Sequence, residues 1–189
     1  MRGKLSDWQV TKLSALFELL DSDGDGRLEE NELKAVLERL RVETGWPAGS
    51  RVTRHVEARW QTLLTRLFTG RSTLTCAHWL DTFAQTLSKE RELRIASESY
   101  RGPVEEFAQL LFLLLDQDRN GEIAPEEFLL FIYAIGRHDR DGQQSFLQLD
   151  VDGRGNLRKG NVEDLALEYF HSAEQGSAGD WLFGPPPEA

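Results

Sequence analysis

Twelve residues near the start of the chain, DSDGDGRLEENE (21–32), concentrate carboxylates that should repel one another. Asp21, Asp23 and Asp25 alternate, Gly26 follows, and Glu32 closes the stretch; only Arg27 opposes the charge. In a loop that turns sharply at the sixth residue, this spacing wraps side-chain oxygens round one point. Arg27 at the seventh position offers its backbone carbonyl, Glu29 at the ninth can act through water, and Glu32 is long enough to bring both oxygens inward. Six to eight hard oxygens at flexible distances suit Ca²⁺. A second stretch, DQDRNGEIAPEE (116–127), repeats the order with Asp116, Asp118, Asn120, the turning Gly121, the Glu122 carbonyl and a closing Glu127. Ala124 has no side-chain oxygen for the ninth position, so a water is expected there. Asn120 is neutral, which predicts weaker binding than in the first loop.

Two further stretches keep the frame and lose the donors. DVDGRGNLRKGN (150–161) retains Asp150, Asp152, Gly155 and Leu157, but Arg154 puts a cation at the fifth position and Asn161 replaces the closing Glu. It is expected not to bind at ordinary free Ca²⁺. LFTGRSTLTCAH (67–78) contains no carboxylate. Placing Leu74 at its eighth position predicts a short strand pair with Leu28, and Ile123 is expected to pair with Leu157 in the same way. The silent loops then serve as scaffolds for the active ones.

Helices must hold these loops. Apolar residues recur at helical spacing at Val10, Leu13, Phe17 and Leu20, with Ser6 or Asp7 as cap. They recur at Leu33, Val36, Leu37 and Leu40; at Val52, Val56, Trp60, Leu63, Leu64 and Leu67; and at Trp79, Leu80, Phe83 and Leu87. TGWPAGS (44–50) separates the second run from the third. Past the charged SKERELRIASESYRG (88–102), four more runs follow, marked by Val104/Phe107/Leu111/Leu114, Phe128/Phe131/Ile132/Ile135, Phe146/Leu149 and Val162/Leu165/Tyr169/Phe170. Three successive prolines end the helical pattern in GDWLFGPPPEA. The expected organisation is a first helix–loop–helix pair over 1–88, a partly helical linker over 89–102, a second pair over 103–173, and a tail over 174–189.

The two complete loops are those of the EF-hand family, which they resemble at every specified position. The resemblance implies Ca²⁺ binding at two sites, with Mg²⁺ as competitor, in an all-α fold. That fold has four EF-hand units in two packed lobes, with short β pairing between loops. The order of complete, silent, complete and degraded loops, the chain length and the ending YFHSAEQGSAGDWLFGP resemble the sarcoplasmic calcium-binding protein group, including calexcitin-like and bacterial relatives. Membership implies lobes packed face to face, with Trp181–Phe183 folded onto the interior. Photoproteins and luciferin-binding proteins share this architecture, but LALEYF, where they place a His, has none.

A chain with one Met and an interior of Leu, Phe and Trp suits a closed Ca²⁺ buffer or transport protein. The alternative is a sensor, which exposes a Met-rich groove to a dedicated protein partner. The net charge of -10 argues against nucleic acid and anionic membranes as partners. Cys76 is the only cysteine, so no intrachain disulfide forms; it is expected as a small buried hydrophobe. MRGKLSDWQV lacks the apolar core of a signal peptide and no run is long enough to span a bilayer, so the expectation is a cytoplasmic monomer. No Ser/His/Asp set, phosphate-cradling loop or acid/base pair stands out, which predicts a protein that is not an enzyme. His55, His78, His138 and His171 have no metal or catalytic spacing, and Trp8, Trp46, Trp60 and Trp79 are expected in core or linker packing. The acidic pairs around Glu90–Glu92 and Glu105–Glu106 are expected to be solvated.

Overall fold

The first helix, α1 (Asp7–Leu20), starts where Ser6 accepts from the Gln9 backbone and Gln9 returns the bond to the Ser6 N–H. This reciprocal cap satisfies two otherwise orphaned donors. The structure is a computed structural model that describes residues 3–47, 49–97 and 99–188; of these, only the Val52 side chain is outside the description. The expectation for Val52, and those for Ala48 in 44–50 and Glu98 in 89–102, therefore fall outside the described residues.

Seven more α-helices follow among the described residues: α2 (Glu30–Glu43), α3 (Arg51–Phe68), α4 (Cys76–Ala96), α5 (Pro103–Leu115), α6 (Pro125–Ala134), α7 (Asp139–Leu149) and α8 (Lys159–His171). Two small antiparallel sheets tie the loops in pairs. β1 (Arg27–Glu29) meets β2 (Thr73–Thr75) with Leu28 opposite Leu74, and β3 (Glu122–Ile123) meets β4 (Leu157–Arg158) with Ile123 opposite Leu157. All four eighth-position residues are buried, so each pair seals the base of its two loops. The fold is thus mostly helical, with the expected β pairing.

α5 packs on α8 and α3, and α2 packs on α6, so the two halves share one core. Aromatic rings run through it. Trp79 lies 6.0 Å from Phe17 and 4.7 Å from Phe83, Phe83 stacks on Phe170 at 5.5 Å, and Phe183 reaches Tyr169 at 4.7 Å. Such contacts add about 0.5–1.5 kcal/mol per pair beyond area burial.

The segment after α8 closes the core from outside. Leu182 and Phe183 are buried behind a short 3-10 turn, Ala178–Trp181. Asp180 accepts from Lys12 Nζ at 2.8 Å, Trp8 Nε1 at 3.2 Å, and the Gly176 and Ser177 N–H groups at 2.9 and 3.2 Å. Both members of the Lys12–Asp180 pair are buried. Burial pushes the Lys12 ammonium below its ordinary value against the pull of Asp180. Burial alone would raise the Asp180 carboxyl, but the bonds from Lys12, Gly176 and Trp8 hold it below the usual carboxylate range.

One position of the apolar repeat on α1 faces outward, and three expectations need correction. Val10 is 37% exposed, because the C-terminal segment covers the flank of α1 that carries Trp8, Gln9 and Lys12 instead. Cys76 is half-buried, with its thiol 3.7 Å from Ser14 Oγ. Glu90 is 1% exposed: α4 continues through the charged stretch to Ala96 and delivers its carboxylate to the Val104 N–H (2.9 Å) and His171 Nε2 (2.8 Å). Glu105 is also buried. It accepts from the Gly102 N–H and faces Arg94 and Arg101, while Glu106 pairs with Arg66.

Candidate metal centres

Both candidate loops begin where a helix stops. The Asp21 N–H closes α1 on the Phe17 carbonyl, and the Asp116 N–H closes α5 on the Phe112 carbonyl, each at 2.9 Å. The first carboxylate of each loop is thereby fixed to a rigid element. The sixth residues, Gly26 and Gly121, have φ of 78° and 84°, the left-handed turn that a Cβ would strain.

In loop 21–32, Asp21 accepts from the Gly24 and Gly26 N–H groups at 3.0 and 2.9 Å. Asp23 accepts from the Asp25 N–H and Asp25 from the Arg27 N–H. These turns aim the side chains inward, and one oxygen from each of Asp21, Asp23 and Asp25 lies within 4.8 Å of the others. Arg27 is exposed at the start of β1. Glu32, in the first turn of α2, accepts from the Ser22 and Glu29 N–H groups at 2.6 and 2.9 Å. It strings the two ends of the loop together.

Loop 116–127 is more closed. Its oxygens within 4.8 Å come from Asp116, Asp118 and the closing Glu127. Asp116 Oδ2 accepts from the Gly121 N–H at 3.2 Å, while Asp116 Oδ1 is buried with no hydrogen-bond partner among the described residues. Glu127 accepts from the Gln117 and Ala124 N–H groups at 2.8 and 2.9 Å. Asn120 Nδ2 donates to Asp118, and its Oδ1 accepts from the Glu122 N–H. A buried anionic oxygen without a donor is costly, and a cation at this point would satisfy it. The donor set is all oxygen, as Ca²⁺ or Mg²⁺ requires.

Loop 150–161 repeats the scaffold and cancels it internally. Asp150 accepts from the Arg154 and Gly155 N–H groups at 3.0 and 2.7 Å, and Asn161 Oδ1 from the Arg158 N–H at 3.0 Å. The Arg154 guanidinium lies 3.0 Å from Asp152.

Two features escaped sequence reasoning. The N–H groups of Ser22 and Gln117, at the second positions, anchor the closing glutamates. The Glu122 carboxylate turns sideways to the neighbouring loop, accepting from Asn156 Nδ2 at 2.6 Å and Arg158 Nε at 3.1 Å. The second was open to inference: Ile123 opposite Leu157 puts Glu122 opposite Arg158.

Between the helices lies an apolar cavity of about 190 Å³, walled by residues that include Leu40, Trp60, Trp79, Phe83, Phe107 and Phe170. No helix among the described residues is long and apolar enough to cross a membrane.

Residues 12–41, which cover the C-terminal part of α1, the first loop and most of α2, match the family described as EF-hand domain. No curated protein matches the chain. Solved structures share its fold. The Ca²⁺-regulated photoprotein mitrocomin from the jellyfish Mitrocoma cellularia superposes with a TM-score of 0.74 at 19% identity, over 97% of this chain and 94% of that one. The coelenterazine-binding protein of Renilla muelleri gives 0.71 at 15% identity, over 94% and 95%. A calcium-binding protein of Streptomyces coelicolor gives 0.67 at 18% identity, over 86% and 97%.

Proposed function

We propose that this chain is a calcium-binding EF-hand protein with two working sites and that it serves as a cytoplasmic, monomeric Ca²⁺ buffer or transport protein rather than an enzyme. Asp21, Asp23, Asp25, the Arg27 carbonyl and Glu32 hold one ion. Asp116, Asp118, Asn120, the Glu122 carbonyl and Glu127 hold the other. The observation that carries this is the second loop's geometry: carboxylate oxygens from three separate residues converge within 4.8 Å of one another, and one Asp116 oxygen is buried with no donor among the described residues. The EF-hand domain match supports the first loop on independent grounds. Mg²⁺ competes at such sites, and all three Ca²⁺-binding loops of the ctenophore photoprotein berovin bind it.

The cavity bears on the choice among EF-hand roles. A volume of about 190 Å³ is below the roughly 300–1,000 Å³ of ordinary small-molecule pockets, which disfavours a luciferin-sized occupant in this conformation. Its apolar walls favour one second reading. A sensor that opened between the lobes would present this surface to a protein partner, in keeping with the calcium-mediated regulation described for the Streptomyces protein. A large Ca²⁺-dependent rise in the fluorescence of a hydrophobic dye would select the sensor, and its absence the buffer.

The sites are tested by calorimetric titration of the metal-free chain in millimolar Mg²⁺, with an expected stoichiometry of two. Glu32→Gln and Glu127→Gln each remove a closing charge and should each reduce it to one. An unchanged stoichiometry in either variant refutes the corresponding site.

A further inference from the structure

We propose that Asn156 and Arg158, in the degraded loop, are positioning residues for the calcium site at 116–127, acting through the side chain of Glu122. This rests on the assignment of that site above. Glu122 stands at the seventh position, where the ligand is the backbone carbonyl and the side chain is free for another task. A carbonyl ligand carries no net charge and no rotamer of its own. It reaches the ion only if the peptide plane is held at the right angle.

Glu122 is held on every side. Its N–H donates to Asn120 Oδ1 at 2.7 Å, and its backbone pairs with Arg158 across the β3–β4 ladder. Its carboxylate is gripped by two donors, Asn156 Nδ2 at 2.6 Å on Oε2 and Arg158 Nε at 3.1 Å on Oε1. Asn156, in the bend just before β4, and Arg158, within β4, flank the buried Leu157, and both reach the same carboxylate. Arg158 and the turn that precedes Asn156 are anchored without any ion: the Arg158 N–H donates to Asn161, and Asp150 binds the turn at Arg154 and Gly155. The degraded loop therefore presents a pre-formed clamp to its neighbour. In the other lobe Thr75 stands opposite Arg27, and no side-chain hydrogen bond joins loops 21–32 and 67–78 among the described residues.

Charge alone predicts the opposite consequences from positioning, which makes the two separable. The test uses the full chain carrying Glu32→Gln, titrated with CaCl₂ by calorimetry, so that only loop 116–127 takes up the ion. Asn156→Ala removes one clamp donor and changes no charge. Its affinity should fall about tenfold, the lower end of losses on removing an outer-shell partner. Asn156→Asp sets a carboxylate against Glu122 while adding negative charge near the ion. Positioning predicts weaker binding, whereas simple attraction predicts tighter binding. Unchanged affinity in folded Asn156→Ala, or tighter binding in Asn156→Asp, overturns the proposal. A change confined to the melting temperature of the metal-free form, with affinity intact, marks a merely structural role and also overturns it. If the Glu32→Gln parent binds no ion, the site assignment itself fails, and the clamp falls with it.

Discussion

Loop 116–127 and its neighbour 150–161 share a backbone scaffold and differ in what they leave unsatisfied. In both, the first Asp accepts from the sixth-position glycine, and the twelfth residue accepts from the N–H of the ninth. In the first, Asp116 Oδ1 is buried without a donor among the described residues. In the second, the equivalent Asp150 oxygen accepts from Arg154, whose guanidinium also meets Asp152. On the proposed assignment, the shared scaffold does not decide which loop takes a metal ion; residual negative charge does, because one loop supplies its own cation and the other would leave that place to solvent ions. The Lys12–Asp180 pair carries internal cancellation to its buried extreme, where water cannot substitute for the partner.

That extreme gives the largest expected effect. Lys12→Met leaves Asp180 buried without its cation and should lower unfolding free energy by about 3–5 kcal/mol, read by denaturant unfolding in chelator. The sign of the pH dependence follows from the carboxyl. In the parent chain, the lowered Asp180 pKa supplies stability at neutral pH that disappears as pH falls through that lowered value. In the variant the unpaired carboxyl protonates sooner, which relieves its burial. The difference between the two chains should therefore shrink on acidification. A difference that is independent of pH would show that packing, not charge, accounts for the loss.

How much of this is legible in the sequence follows the range of the contacts. Donor types, their order, the sixth-position glycines and the eighth-position strand residues each lie within a twelve-residue window, and the strand pairs follow by matching one window to the next. They predict that Leu28 meets Leu74, and they name Asp21, Asp23 and Asp25, and Asp116, Asp118 and Glu127, which approach one another, while Glu32 is not in the first group. The helices are legible for the same reason, since a periodic apolar stripe is a local signal. Glu90 is not legible. It sits in a run of charged residues, and its partners, Val104 and His171, lie 14 and 81 residues away. Lys12 reads as a solvated helix residue because Asp180 is 168 residues distant. Val10 fits the stripe by spacing, but the C-terminal segment settles on the neighbouring flank of α1. Burial of a charge is decided by the element that covers it, which no local window contains.

The contrast between the two neighbouring loops can be reversed by design. Arg154→Asp with Asn161→Glu removes the internal cation and restores the closing carboxylate on an intact scaffold. A third ion should then appear in the calcium titration, alongside the two of the parent. Each single change restores only part of the donor set and should give weaker uptake than the pair. A doubly substituted chain that folds and still binds only two ions would show that backbone differences, rather than residual charge, silence this loop.

The smallest expected effect separates the two proposed calcium loops from each other. Loop 21–32 brings four carboxylates to ligand positions, from Asp21, Asp23, Asp25 and Glu32, and has Glu29 and Glu30 beside them. Loop 116–127 brings three, from Asp116, Asp118 and Glu127, and its Glu122 is paired with Arg158. Attraction of an ion to exposed charge is screened by salt, and the Debye length falls from about 30 Å at 0.01 M to about 8 Å at 0.15 M. Asp21 and Asp116 are both half-buried and Asp23 and Asp118 both exposed, but the first loop adds the exposed Asp25, whereas in the second the closing Glu127 is half-buried and one Asp116 oxygen is fully so. Calcium affinity of the Glu127→Gln chain, which retains only the first site, should therefore fall more steeply with added KCl than that of the Glu32→Gln chain. Equal slopes would mean that the extra aspartate at position 25 acts only through direct contact with the ion, and that the first loop gains nothing from its crowded surroundings.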